Sequence, residues 1–263
     1  MEQALVDAVA GGRLLDLTAN GEMIDEAAMR GWSEARSVRA AVLRDIVRGR
    51  LAGDPDPRGL RLCGARIIGR PDLANVTSRV SLELVDCLLE EGIAARCANL
   101  TALTLTRCRL EHPTLPPLDG ERLTNTVGMS LAGTVISGHG ERGAVRLVEA
   151  QLGHLDCSAA TLRNCSGPAL HAEGANVEQQ VLLADGFHAT GAGASGAVRF
   201  AVARVVGVDL ALPVIDAGVR NQCNITTSAT GQALDTASWA LQLLAWAFAT
   251  LFIAGFTGII RRT

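Results

Sequence analysis

Two glycine-rich hexapeptides are the residues whose spacing points most directly to chemistry. Gly138-His-Gly140-Glu-Arg-Gly143 and Gly191-Ala-Gly193-Ala-Ser-Gly196 both fit G-x-G-x-x-G. In a dinucleotide site such glycines turn the chain tightly and let the backbone approach a pyrophosphate at a helix N-terminus. An acidic residue should follow about 20 residues on, and Asp156 and Asp209 each stand 18 residues after the first glycine of their set. On that reading Gly138, Gly140, Gly143, Gly191, Gly193 and Gly196 hold NAD(P) or a flavin, and the chain is an oxidoreductase. The surroundings argue the other way. Each hexapeptide runs into Ala-Val-Arg, and Val145, Leu147 and Val148 alternate in part like a strand. The two copies lie 53 residues apart, as repeated turns do in a stack of similar units. A solenoid turn without a cofactor is therefore the preferred reading, and the dinucleotide site its alternative.

Other side chains with chemical potential are scattered. His154, Cys157, Cys165 and His171 are zinc-type ligands, but H-x2-C-x7-C-x5-H is not a finger spacing, and no metal is expected. Cys63, Cys87, Cys97 and Cys108 stand where Ala or Gly would serve, and read as small inward residues. No C-x-x-C occurs. His139 and His188 lie in or beside the glycine-rich turns, with Asp185 near the second. A general base needs a partner within hydrogen-bond reach, and the sequence assigns none. There is no nucleophile elbow, Walker sequence or H-E-x-x-H, so no catalytic residue is named and catalysis is not expected.

Composition limits the function classes further. Hydrophobic residues are 48% of the 263, yet aromatics are only 3% and Tyr is absent. Outside the last segment the aromatics are Trp32, Phe187 and Phe200, so the core must be aliphatic. All 24 basic residues are Arg, and the net charge of −3 gives no long-range attraction to nucleic acid. Arg36, Arg39, Arg44, Arg48 and Arg50 read as a solvated helix face. The seven cysteines, and a start at Met1-Glu-Gln-Ala-Leu-Val-Asp without a basic-then-apolar run, suggest free thiols in a reducing compartment.

These residues need a frame to position them. Residues 1–57 read as a helical N-terminal cap. Glu2 to Val9 is one candidate helix. Ser33 to Arg50 is another, with Val38, Val42 and Ile46 forming an i+4 stripe, Ser33 as cap and Gly49 at the end. Residues 58–226 read as a repeat β-solenoid. Leu60-Arg-Leu62 is echoed by Val80-Ser-Leu82 and Leu103-Thr-Leu105, in short runs that alternate apolar with polar. A small residue stands two before an aliphatic one in Ala65-Arg-Ile67, Ala74-Asn-Val76, Ala98-Asn-Leu100, Cys108-Arg-Leu110, Ala150-Gln-Leu152, Ala160-Thr-Leu162, Ala175-Asn-Val177 and Ala203-Arg-Val205. Both are expected to point inward while successive coils pair about 4.8 Å apart.

The triplets resemble degenerate pentapeptide repeats, whose unit A(D/N)LXX places a small residue two before a central Leu. The block Leu152 to Leu170 also resembles one in actinobacterial proteins labelled "membrane-associated oxidoreductase". The resemblance covers roughly residues 34 to 220. It implies a β-helix, interrupted at His112-Pro-Thr-Leu-Pro-Pro117.

After a linker at 227–236 comes Ala237–Ile260, 24 residues without a charge. As a helix it would span roughly 36 Å at about 1.5 Å per residue, against a hydrocarbon core of about 30 Å. Trp239 and Arg261-Arg262 flank it as interfacial anchors would. The expected architecture is mainly β: a pentapeptide-repeat-like solenoid with an N-terminal helical cap and a C-terminal apolar helix. The expected function is a non-catalytic scaffold for an unknown protein partner, with no nucleic acid. A single-pass anchor at Ala237–Ile260 would hold it at a membrane, with the solenoid on the cytoplasmic side. The rival use of the apolar segment is to cover the open end of the solenoid.

Overall fold

The computed structural model describes residues 1–19, 22–51, 55–192 and 196–209. They form a parallel β-solenoid of about six turns. The helical part is small: α1 (Glu2–Ala10), α2 (Glu26–Arg30) and α3 (Ala40–Val47). A nine-stranded sheet contains β1 (Leu15–Asp16), β3 (Leu60–Cys63), β5 (Leu82–Val85), β8 (Asn99–Thr106), β11 (Thr124–Ser130), β14 (Gln151–Leu152), β15 (Leu155–Asp156), β18 (Asn176–Leu182) and β21 (Arg204–Asp209). A seven-stranded sheet contains β2 (Ser37–Arg39), β4 (Arg66–Ile68), β6 (Leu88–Leu89), β9 (Arg109–His112), β12 (Val135–Gly138), β16 (Thr161–Asn164) and β19 (His188–Thr190). A five-stranded sheet contains β7 (Ile93–Ala94), β10 (Leu118–Asp119), β13 (Val145–Arg146), β17 (Leu170–His171) and β20 (Val198–Arg199).

The long strands of the first sheet pair in two separate stretches. β8 meets β5 through Leu103–Thr106, while its Asn99 bridges Thr77. Each coil therefore has four sides, two of them supplied by the nine-stranded sheet. Down one side the partners run Leu60, Leu82, Leu103, Met129, Leu155, Val181, Val208. The sequence match had set Leu60 against Val80, and the ladder sets it against Leu82, two residues on. A shift of two keeps every side chain on its own face, because strands alternate with period 2. The 53-residue repeat is two coils rather than one. Gly138 pairs with Asn164, and the pairing of Arg163 with Thr190 carries Asn164 to Gly191.

The interior is filled by columns of small and aliphatic residues. Six of the eight triplets hold both inward residues at 0–1% exposure: Ala65/Ile67, Ala98/Leu100, Cys108/Leu110, Ala150/Leu152, Ala160/Leu162 and Ala175/Val177. Ala74 is an exception, because Asn75 is the left-handed corner residue and Leu73 and Val76 are the ones that face in. Corners share one device. Eight non-glycine residues with φ of 49–57°, Asn75, Asp86, Cys97, Arg107, Arg122, Glu149, Ala159 and Val202, each immediately precede the first residue of the next side. The left-handed conformation turns their N–H along the solenoid axis, so Cys97, Arg122 and Glu149 donate to carbonyls of the neighbouring coil at 2.8–2.9 Å. The ladder thus continues around the bend and the buried backbone stays paired.

The N-terminal segment differs from an all-helical cap. α1 matches the expected helix. The second helix begins only at Ala40, because Ser37–Arg39 is β2, with Val38 against Ile67 on β4. Val38 is β-branched and fully buried there, so a place in the sheet outweighs the helical stripe. Ser33 makes no side-chain cap bond. β1 likewise joins β3. α2 lies on the outside of the seven-stranded sheet, where Met29 and Trp32 cover Leu88. A fork from Arg36 to Glu22 (2.7 and 2.8 Å) steadies Trp32, whose ring lies 5.3 Å from the guanidinium. The solenoid end beyond residue 209, the linker at 227–236 and Ala237–Ile260 lie outside the described residues. Among the described residues no helix is long and apolar enough to cross a membrane.

Candidate interaction surface

The outward side chains form columns, and each face has its own chemistry. On the seven-stranded sheet the column is ionic. Arg66 binds Glu90 (2.6 Å), Arg109 meets Glu26 of α2 (3.3 Å), and Arg30 reaches Glu26, Glu90 and Glu111. On the five-stranded sheet Arg96 and Arg146 converge on Glu121, and Arg199 on Glu173 (2.7 Å). Arg146 and Asp119 are largely shielded there, and opposite charges held side by side offset part of the cost of that burial. His171 fits into the same ladder, with Nδ1 3.2 Å from the Arg142 carbonyl and Nε2 3.3 Å from Glu173.

One side of the nine-stranded sheet is different. Thr77, Asn99, Thr124, Gln151 and Asn176 stand in register on five successive coils. Thr77, Asn99 and Gln151 are exposed, the other two half-buried. These five are uncharged and can both donate and accept hydrogen bonds. Two shallow grooves open beside this column. One is lined by Arg44, Arg48, Asn75 and Thr77, the other by Arg122, Glu149, Gln151 and Asn176.

The glycine-rich turns occupy the corner between the seven- and five-stranded sheets. Gly138 ends β12, and Gly143 lies buried just before β13 with φ of +110°. Gly191 follows β19 and Gly196 precedes β20, while Gly193 lies outside the described residues. The elements after the hexapeptides are the two-residue strands β13 and β20, not helices. Two amides at the end of the first hexapeptide are engaged by carbonyls. Gly143 N–H donates to the Gly140 carbonyl (3.4 Å) and Ala144 N–H to that of Pro168 (3.2 Å). Asn164 fills the same corner one coil on, donating to the carbonyls of Gly140 (2.9 Å) and Pro168 (2.8 Å). His112-Pro-Thr-Leu-Pro-Pro117 is this corner one coil earlier, since His112 pairs with Gly138 and Leu118 with Val145. It bends the chain without ending the ladder.

The scattered ligands stay apart. Cys157 is sealed in the core, Cys165 is exposed in the corner turn, His154 Nδ1 lies 3.0 Å from the Val127 carbonyl, and His171 sits on the five-stranded face. Among the described residues no three His, Cys, Asp or Glu side chains group as metal ligands would. His139 and His188 are exposed, and His188 Nε2 lies 3.0 Å from the Thr190 hydroxyl. Of the arginine cluster, Arg36, Arg39 and Arg44 are tied to Glu22, Glu2 and Asp72. Cys63, Cys87 and Cys108 are buried, while Cys97 is exposed at a left-handed corner. Burial lifts the Cys63 thiol to about 12, helped by Asp16 and Asp86, and burial raises Cys108 and Cys157 as well. Reactivity follows the thiolate, so these three are poor nucleophiles.

Two features escape a reading of the sequence. Arg70 is half-buried and donates to the carbonyls of Glu91 (3.2 Å), Ile93 (3.4 Å) and Pro116 (2.8 Å), stapling adjacent coils. The Thr77–Asn176 column is spread over 100 residues, and only the register assembles it. No protein family, curated protein or solved structure matches the chain.

Proposed function

We propose that this chain is a non-catalytic interaction module. Its solenoid offers the Thr77–Asn99–Thr124–Gln151–Asn176 face to a protein partner, and Ala237–Ile260 anchors it in a membrane, with the solenoid on the cytoplasmic side. The single observation that carries the reading is the contrast between faces. The named charges of the ionic columns are paired with one another, whereas this column leaves hydrogen-bonding groups exposed at a regular spacing of about 4.8 Å. Four-sided coils, with a small residue two before an aliphatic one, support the likeness to degenerate pentapeptide-repeat proteins. The anchor rests on the length and composition of the apolar segment. No structural observation favours the oxidoreductase alternative.

Photo-crosslinking from a full chain in bacterial membranes tests the surface. A crosslinkable residue at Asn99 or Gln151 should capture one protein of defined size, and one at Ser137 should not. No product from either position, or equal products from all three, would remove the face from consideration. Carbonate washing tests the anchor. The full chain should stay in the pellet, and the variant Leu243→Asp with Phe248→Asp should wash out.

A further inference from the structure

The neutral column has a charged rim with a direction to it. Two residues before its members, at the corner with the five-stranded sheet, stand Asn75, Cys97, Arg122, Glu149 and Gly174, one to each coil. Only Arg122 and Glu149 are charged, and their side chains are 65% and 67% exposed. They lie on neighbouring coils, 3.8 Å apart, where an exposed pair contributes little to folding. Arg122 shares its coil with Thr124, and Glu149 with Gln151. Thr, Asn and Gln side chains each donate and accept hydrogen bonds. A column of them is therefore able to pair with a copy of itself, which a row of carboxylates or guanidiniums is not.

Consider a two-fold axis lying in this face along the strand direction, midway between the coils of Thr124 and Gln151. It turns a second copy antiparallel and sets complementary groups opposite one another on the four coils from Asn99 to Asn176. Arg122 meets Glu149 of the second copy, and Glu149 meets its Arg122, so the four charges alternate in sign. Thr124 meets Gln151, and Asn99 meets Asn176. Moving the axis by half a coil sets Arg122 against Arg122 in one direction and Glu149 against Glu149 in the other. Like charges face to face select against both registers. We propose that the partner of this face is a second copy of this chain, docked antiparallel about that axis. The proposal rests on the reading of the face as a protein-binding surface and names its occupant. The contact is isologous, so it closes as a pair and builds no filament. A strip a few coils long, at about 4.8 Å per coil, is small and polar, and the pair is therefore reversible.

Photo-crosslinking of the full chain in the expressing cell, followed by peptide mapping, tests it. A crosslinkable residue at Gln151 should give a product of twice the chain's mass, joined to the peptide that holds Thr124. One at Asn99 should join to the peptide that holds Asn176. Arg122→Glu, and separately Glu149→Arg, should each lower the yield from Gln151 at least about tenfold. The exchange Arg122→Glu with Glu149→Arg should restore it. Both positions are left-handed corners, with φ of 56° and 55°, so the exchange alters no backbone requirement. Capture of a protein of another mass would leave the face as an interaction surface and overturn the second copy. No product from either position would overturn the reading of the face and the proposal together. A double-mass product that joins Asn99 to Asn99, or that is undiminished by Arg122→Glu, would overturn the antiparallel arrangement.

Discussion

A β-carbon on Gly140 would stand 2.6 Å from the backbone carbonyl oxygen of Thr114, one coil away. A backbone atom cannot swing aside as a side chain can. Gly140→Ala should therefore cost about 1–3 kcal/mol, read as a lower denaturation midpoint in the absence of any nucleotide. A phosphate cradle predicts something else: an intact fold with nucleotide or flavin binding lost. An unchanged midpoint would refute the packing account.

Ala159 holds a φ of +57° at an exposed corner, and its N–H donates to Ala184 at 2.9 Å. The conformation is required to continue the ladder, yet a β-carbon makes it unfavourable. Ala159→Gly keeps the hydrogen bond and relieves the strain. It should raise stability by about 0.5–1 kcal/mol even though glycine loosens the unfolded chain. A fall in the urea midpoint would mean the corner is not strained.

Thiol chemistry should divide along the burial. Cys97 and Cys165 are exposed, whereas Cys63, Cys87, Cys108 and Cys157 are buried. Brief treatment of the native chain with a maleimide, followed by peptide mapping, should label Cys97 and Cys165 and spare Cys63, Cys87, Cys108 and Cys157. Rapid labelling of Cys87 or Cys108 would show that the coils open far more readily than their packing implies.

His112 links the fold to pH. Its Nδ1 accepts from the backbone N–H of Thr114 (3.1 Å) and Leu115 (2.9 Å), which places the ring proton on Nε2. Burial, then the nearby Arg70 guanidinium, lower its proton affinity below the usual histidine value. The unfolded chain therefore takes up the proton first. Stability from this residue is complete above pH 7 and declines as pH falls through about 6.5. His112→Asn retains an acceptor for the turn but does not titrate. Its stability curve should part from that of the parent below pH 6.5, and superimposable curves would show that His112 stays solvated.

Much of the frame is legible in the residues. The small-x-aliphatic triplets mark which side chains face in, because a strand of two or three residues between corners has only one inward face. Where the reading slipped, a competing interaction decided. Val38 fits a helical stripe, but its backbone is taken by β4. Ala74 fits the triplet, but the corner comes at Asn75, two residues later than the triplet places it, and Val76 stands level with Ala98. Leu60 and Leu82 became partners rather than Leu60 and Val80 because coil length is set by the corners, and a shift of two leaves the apolar pattern unchanged. The glycine-rich hexapeptides were legible as repeated turns. That they recur on alternate coils, with Asn164 standing between, follows only from the ladder.

The recurring short runs and small-x-aliphatic triplets determined a β-solenoid, and the scarcity of aromatic residues made its interior aliphatic. Its surface is another matter. Columns such as Thr77 to Asn176, the ion pairs of Glu121 and Glu173, and the staple at Arg70 join residues about one coil apart. From Leu60 onward the offset between paired residues of neighbouring coils varies from 21 to 28, so no fixed spacing in the chain predicts which of them meet. Parallel backbone pairing sets that register, and with it the chemistry each face presents.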